Sequence, residues 1–176
     1  MPGVPPDSGA SCAGPQPGHR PCVGVVLLND AGRVFIGERT GPLRNAWQMP
    51  QGGIDPGESP LEAARRELGE EVGTAQAELL AESACWYAYD LPPDLIPAYW
   101  GDRYRGQSQR WFAFRFTGSD AEIRLDGEHP EFRNWRWATP AEVLDLIVAF
   151  KRPVYRAVFR EFGGLLRPTS ADPAQP

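Results

Sequence analysis

The run from Ser59 to Gly73, SPLEAARRELGEEVG, constrains the fold more than any other stretch. Ser59, Pro60 and Glu62 are the opening signature of a helix. They provide a hydroxyl to cap free backbone N–H groups, a proline at the first helical position, and a glutamate that reaches back to the cap. Leu61, Ala64, Leu68 and Val72 recur at helical spacing, and Gly73 supplies a left-handed stop. Such a helix has one apolar stripe that a flat apolar partner must cover. Its other face is harder to explain. Glu67, Glu70 and Glu71 fall at i, i+3 and i+4, off the stripe, where like charges repel by roughly 0.2–0.5 kcal/mol per pair. Either this is a solvated acidic face, or a divalent cation sits among the glutamates and reverses the sign of the repulsion. Gly69 costs roughly 1 kcal/mol relative to alanine inside a helix, and close packing is the reason expected for it.

The flanks supply the flat partner. CVGVVLLN, from Cys22 to Asn29, predicts a buried strand, and a turn at Asp30-Ala31-Gly32 joins it to RVFIGER in a hairpin. RTGPLRNA is expected to be a loop, and WQMPQGGIDPGE carries too many breakers to be regular beyond its first residues. AELLAESACWYAYDL predicts one or two strands with an aromatic end, and PPDLIPAYWGDRYRG a Pro- and Tyr-rich surface insertion. QRWFAFRFTG alternates, with Trp111, Ala113, Arg115 and Thr117 on one face and a buried aromatic face of Phe112, Phe114 and Phe116. AEIRL and NWRWA predict shorter strands. Thr139-Pro140-Ala141-Glu142 repeats the helix opening and leads through Leu144, Ile147 and Val148 to an interruption at Pro153. VYRAVFREF is helical again, and Gly163-Gly164 ends it. Strands mixed with two or three helices indicate an α/β or α+β layer fold. A length of 176 residues suits one domain. The Pro/Gly-rich residues 1–19 are expected to be a disordered leader and 167–176 a flexible tail, leaving 20–166 as the domain.

Composition narrows the partners. The net charge of −5 gives no global positive field to attract nucleic acid or an acidic membrane, so a polyanionic substrate needs a local patch or a bound metal. No apolar run approaches the ~18 residues of a membrane span. Cys12, Cys22 and Cys85 form no CxxC pair and are odd in number, which argues against a disulfide framework or structural zinc and fits a reducing cytosol. His19 and His129 lack zinc-ligand spacing. No helix shows a dimer seam, so a monomer is expected.

From Gly52 the chain reads GGIDPGESPLEAARRELGEEVGT, which matches G-x5-E-x7-R-E-U-x-E-E-x-G-U, U being aliphatic, at Gly52, Glu58, Arg66, Glu67, Leu68, Glu70, Glu71 and Gly73. This resembles the Nudix box of the Nudix hydrolases. Thr74 departs, standing at an aliphatic position that usually packs rather than reacts. The resemblance implies an α/β fold, a Nudix α/β/α sandwich with a mixed β-sheet between helices. It also implies hydrolysis within the phosphate chain of a nucleoside diphosphate linked to another group. Glu67, Glu70 and Glu71 are the catalytic candidates; with Gly52 and Glu131 they make the implied metal site. Gly53, Glu58, Arg66 and Gly73 are structural positions of the motif, Glu58 and Arg66 as an ion pair bracing loop to helix. An all-oxygen carboxylate set suits Mg²⁺ or Mn²⁺ independently of any resemblance.

HRPCVGVVLLN, AWQMPQGGIDPGES, WFAFRF, HPEFRNWRW and AFKRPVYRAVFREF resemble bacterial RNA pyrophosphohydrolases, whose close relatives cut dinucleoside polyphosphates. The implied reaction removes pyrophosphate from the 5′-triphosphate end of RNA in the cytoplasm and favours transcript decay; a dinucleoside polyphosphate is the alternative substrate. The resemblance places Arg20 and Arg39 against phosphates or the first nucleotides, and Val148, Phe150 and Lys151 in a nucleotide pocket. Lys151 is the only lysine among 18 basic residues, so composition gives no reason for it. The arginines could equally be solvated, and Val148 and Phe150 could be core. Tyr87, Tyr89, Tyr99 and Tyr104 with Arg103, Arg105 and Arg110 mix aromatics and charge. They form either a wall of an RNA groove or a tyrosine-rich surface with snorkelling arginines; Tyr89 is retained as a substrate-binding candidate. A module that binds nucleotides without hydrolysis would be free to lose the glutamates, and this chain keeps them all.

Overall fold

Strand β2 (His19–Leu28) is apolar along most of its length because both of its faces are covered. The computed structural model describes residues 9–41, 43 and 45–167. Around β2 it builds an eight-stranded mixed sheet. The other strands are β1 (Ala10–Ser11), β3 (Val34–Arg39), β4 (Trp47–Gln48), β5 (Gln51–Gly53), β6 (Ala77–Asp90), β7 (Gly106–Phe116) and β8 (Phe132–Ala138). The main path runs β1-β6-β7-β2-β3-β4, with β5 paired to β2 and β8 to β3. β2 and β7 run parallel, from His19 opposite Gly106 to Leu28 opposite Arg115. The remaining pairs are antiparallel.

Helix α1 (Pro60–Val72) covers one face, burying Ala63, Ala64, Leu68 and Val72 against Val23, Val25, Leu27 and the phenylalanines of β7. Helices α2 (Pro140–Leu146) and α3 (Arg152–Glu161) cover the other, packing Val143, Val154, Tyr155, Val158 and Phe159 over Val26, Ile36, Trp111 and Ala113. The α/β/α sandwich is therefore as expected. Both capping boxes form, at Ser59 with Glu62 and at Thr139 with Glu142. Gly73 closes α1 at φ 75°, a left-handed conformation that glycine tolerates best. Pro153 opens α3 instead of interrupting a longer helix; a single 3₁₀ turn at Ala149–Lys151 precedes it.

Several expectations are corrected. β7 is buried on both faces, Trp111 and Ala113 included, because helices lie on both sides of the sheet. Gln51–Gly53 is a strand despite its glycines, since β2 offers it an antiparallel partner. AEIRL forms a 3₁₀ turn at Asp120–Glu122 instead of a strand. Gly69 is not a close-packing residue: a Cβ there would meet nothing within 4 Å, and it lines a cleft. The segment from Gly9 to Gly18, expected to belong to a disordered leader, is ordered: β1 adds to the β6 edge, Ala10 opposite Tyr87 and Ser11 opposite Trp86. That register sets Cys12 against Cys85 with Cα atoms 4.0 Å apart, and the two form a disulfide. The cysteine reading from spacing fails here because strand pairing, not sequence proximity, makes the pair, so the cysteines no longer argue for a reducing compartment; Cys22 stays free and buried. Residues 1–8 and 168–176 lie outside the described residues. No helix among those described is long and apolar enough to cross a membrane.

Two outcomes follow from this packing. Denatured without reductant, the protein should present one reactive thiol, Cys22, and with reductant all three; three without reductant would remove the Cys12–Cys85 bond. The Tyr155 hydroxyl accepts the buried Met49 N–H at 3.0 Å and so fixes the link between β4 and β5. Tyr155→Phe leaves that N–H unpaired, and should lower stability by about 1–3 kcal/mol, seen as a drop of several degrees in melting temperature.

Candidate active site

The helix opening at Ser59 sets the phase of α1, and that phase turns Glu67 and Glu71 toward β5. Glu71 accepts the Gln51 N–H at 3.0 Å. Glu67 lies so close to Gly52 that a Cβ there would run into its carboxylate. Both are buried, at 9% and 5% exposure, while Glu70 is exposed. The acidic face is thus only partly solvated. Burial pushes the Glu67 pKa up, despite the opposing Arg66 hydrogen bond. Burial, followed by the Glu67 charge, pushes Glu71 further.

Arg66 organises the entrance. Its Nε and Nη2 donate to Glu58 at 2.8 and 2.9 Å, and Nη2 also donates to the Gly53 carbonyl at 2.8 Å. Nη1 donates to Glu67 at 2.8 Å and to Glu70 at 3.3 Å. The brace expected of Glu58 and Arg66 is present, and it holds the Glu58 carboxyl down to about 2. Thr74 packs as its position demands, with its hydroxyl accepting the Gln76 N–H at 3.0 Å.

Among the described residues no three His, Cys, Asp or Glu side chains converge as a ready-made metal cluster. Arg66 and the Gln51 N–H hold the glutamates instead. The donor set nonetheless fits a hard divalent cation. It is all oxygen, two of its carboxylates are buried, the Glu67 charge raises Glu71, and Gly52, lacking a side chain, makes room for the Glu67 carboxylate. Glu131 is exposed on the same cleft, and its charge raises both Glu67 and Glu71.

That cleft, about 830 Å³, gathers most of the substrate candidates. Arg20, Arg39, Tyr89, Phe150 and Lys151 line it with Gly52, Gly53 and the glutamates; Val148 does not, and packs half-buried against the core on the α2–α3 side. Lys151 is buried, donates to Gln48 at 2.9 Å and Gln51 at 3.2 Å, and lies 5.5 Å from the Tyr89 ring centroid. Burial first, then the Arg39 charge, lowers its pKa to about 7. Tyr89 and Phe150 are tilted ring neighbours at 5.8 Å. Sequence reading missed Gln48, Gln51 and Gln107, which line the cleft, and Gln109, fully buried behind them, which donates to Gln51 and Gln107 at 3.0 and 3.1 Å. The available signal was period two: Gln107 and Gln109 share the β7 face of Trp111.

The NUDIX domain family model matches residues 18–158. The chain belongs to the Nudix family. Among its relatives, an RNA pyrophosphohydrolase of Dinoroseobacter shibae is 55% identical over 150 residues, covering 84% of this chain and 94% of the relative. One of Rickettsia canadensis is 50% identical over 149 residues, covering 85% and 92%. Of solved structures, a C. elegans Ap4A hydrolase in a binary complex aligns with a TM-score of 0.62 at 18% identity, covering 82% of this chain and 98% of that one. At that identity the likeness concerns the fold alone.

The buried carboxylates of this Nudix chain give a pH dependence whose sign is fixed. Glu67 and Glu71 hold protons more tightly folded than unfolded, so their contribution to stability is present below the ordinary glutamate value of 4.5 and is lost as pH rises through the raised values. In chelator, Glu71→Gln should therefore gain melting temperature over the parent chain as pH rises above 4.5, and millimolar Mg²⁺ should reverse the difference. A difference independent of pH and Mg²⁺ would show that Glu71 carries no such burden.

Proposed function

We propose that this chain is a metal-dependent RNA pyrophosphohydrolase of the bacterial cytoplasm. Acting as a monomer, it removes pyrophosphate from 5′-triphosphate RNA and leaves a 5′-monophosphate that favours decay of the transcript. The observation that carries the reading is one cleft with two chemistries: buried carboxylates at Gly52, and an aromatic and lysine pocket of Tyr89, Phe150 and Lys151. Phosphate chemistry alone needs only the first. Stacking rings beside a buried ammonium suit an unstacked RNA base. The relatives named RNA pyrophosphohydrolase support the same substrate.

Glu67, Glu70, Glu71 and Glu131, with the Gly52 backbone, are the groups we assign to Mg²⁺ or Mn²⁺. When bound, that cation neutralises the polyphosphate and lowers the pKa of water. The chain's own residues do the rest. Arg20 and Arg39 present planar guanidinium forks to phosphate oxygens. Glu67 is the proton acceptor we assign: a water oxygen bonds to the α-phosphorus, the bond to the bridging oxygen breaks, pyrophosphate leaves, and the water's proton passes to the carboxylate. Arg66 holds Glu67 and Glu70 in place.

Given equal concentrations of a short 5′-triphosphate RNA and diadenosine tetraphosphate with Mg²⁺, the protein should release pyrophosphate from the RNA faster. Faster cleavage of the dinucleotide would overturn the RNA assignment and make the chain a dinucleoside polyphosphate hydrolase. Glu70→Gln should lower turnover by roughly a hundredfold or more while the melting temperature holds, because its side chain is exposed. Near-full activity would remove Glu70 from the metal site.

A further inference from the structure

The Leu91–Arg105 insertion is built more firmly than a surface loop requires. Its neck is closed where Leu91 N–H donates to the Arg105 carbonyl at 2.9 Å, and Arg105 N–H donates to Gly18 at 3.0 Å. Asp90 at the same neck is bridged to His19 at 2.6 Å and to Arg105 at 3.4 Å. Two 3₁₀ turns, Pro93–Leu95 and Ala98–Trp100, use the local prolines, and Trp100 plugs the interior at 4% exposure. On this mount Tyr99 is 77% exposed, its ring perpendicular to that of Trp100 with centroids 6.5 Å apart. Burial therefore gives Tyr99 no reason to be aromatic.

Where it stands is more telling. The large hydrophobic side chains exposed among the described residues are Tyr99 and Leu43, and both line the cleft that holds the glutamates. Arg20 joins the two regions, since its guanidinium lies against Gly53 and also 6.0 Å from the Trp100 ring. Trp100 lines the cleft too, and its buried indole N–H has no acceptor among the described residues. A pre-ordered aromatic face, contiguous with a phosphate-facing arginine, is what a single-stranded nucleic acid uses to stack a base. A tyrosine ring has only two side-chain torsions to immobilise on binding.

We propose that the 91–105 segment builds a second base-binding subsite, separate from the Tyr89–Phe150–Lys151 pocket. Tyr99 is its stacking face, and its occupant is a nucleobase of the RNA strand beyond the reacting triphosphate. The inference rests on the RNA reading above. Because every base has a π-face, this subsite rewards strand length and is tolerant of sequence.

The test is a length series of 5′-triphosphate RNAs, from about two to about six nucleotides, a span that brings successive bases past a stacking platform. KM should fall with length in the parent chain. In Tyr99→Ala that fall should be flattened by roughly five- to tenfold, with the change carried by KM, and Tyr99→Phe should restore it. RNA turnover with no length benefit, or the full benefit retained in Tyr99→Ala, overturns the subsite and leaves the RNA reading intact. Absence of any RNA turnover overturns the RNA reading, and Tyr99 is then judged by binding alone. Anisotropy of a 3′-labelled, 5′-monophosphorylated hexanucleotide should show weaker binding to Tyr99→Ala than to the parent; equal binding sinks the subsite.

Discussion

One guanidinium holds the site together. Arg66 engages Glu58 through two nitrogens, the Gly53 carbonyl through one of the same pair, and Glu67 and Glu70 through the third. Those contacts tie the 53–58 loop to α1, and thereby set how far β5 stands from Glu67 and Glu71. Arg66 is itself partly exposed, at 27% for the side chain, so its Coulomb energy is screened and its weight is chiefly geometric. A lysine in its place would supply charge without the planar fork, and the loop, Glu58 and the two glutamates would lose their common reference.

The sheet places everything else around that clamp. β2 and β7 run parallel, so their second residues, Arg20 and Gln107, emerge side by side. β6 runs antiparallel to β7 and ends there with Tyr89 and Asp90, and β5 lies against β2 with Gly53 opposite Cys22. One end of the sheet thus assembles arginine, glutamine, tyrosine and the glycine strand from four separate segments. Lys151 reaches the same place from the turn between α2 and α3, and Gln48 and Gln51 take up its ammonium. A buried lysine with polar partners on β4 and β5 ties the helical layer to the site, which core packing alone would not do.

What was legible in the sequence was local. The capping boxes at Ser59 and Thr139, the stripe on α1 and the left-handed Gly73 are decided within a few residues, and spacing reveals them. The fixed spacing of the glutamates was equally readable. What was illegible depended on partners distant in the chain. Gln51–Gly53 becomes a strand only because β2 is there to pair with it, so its glycines misled. The Cys12–Cys85 bond follows from β1 adding to β6, a register that cysteine spacing does not encode. β7 alternates as if half-solvated, yet helices that precede and follow it in the chain cover both of its faces. Val148 and Phe150, two residues apart, part company, because the chain turns between them and only Phe150 faces the cleft.

The crowding of the α1 glutamates then takes on a different weight. On a solvated helix the question would be one of repulsion, a few tenths of a kcal/mol per pair. Burial makes that the smaller term, because desolvating an ionised carboxylate without a partner costs several kcal/mol. Glu67 has Arg66, but among the described residues Glu71 has only a backbone N–H from Gln51, and Lys151 acts on it from a distance. A fold that buries Glu71 this way must neutralise it. In the free protein a proton can do so, consistent with the direction of its pKa. In the working protein a proton would waste the carboxylate, whereas a divalent cation would use it. The same burial that disfavours the bare anion therefore favours the cation that we assign to this place.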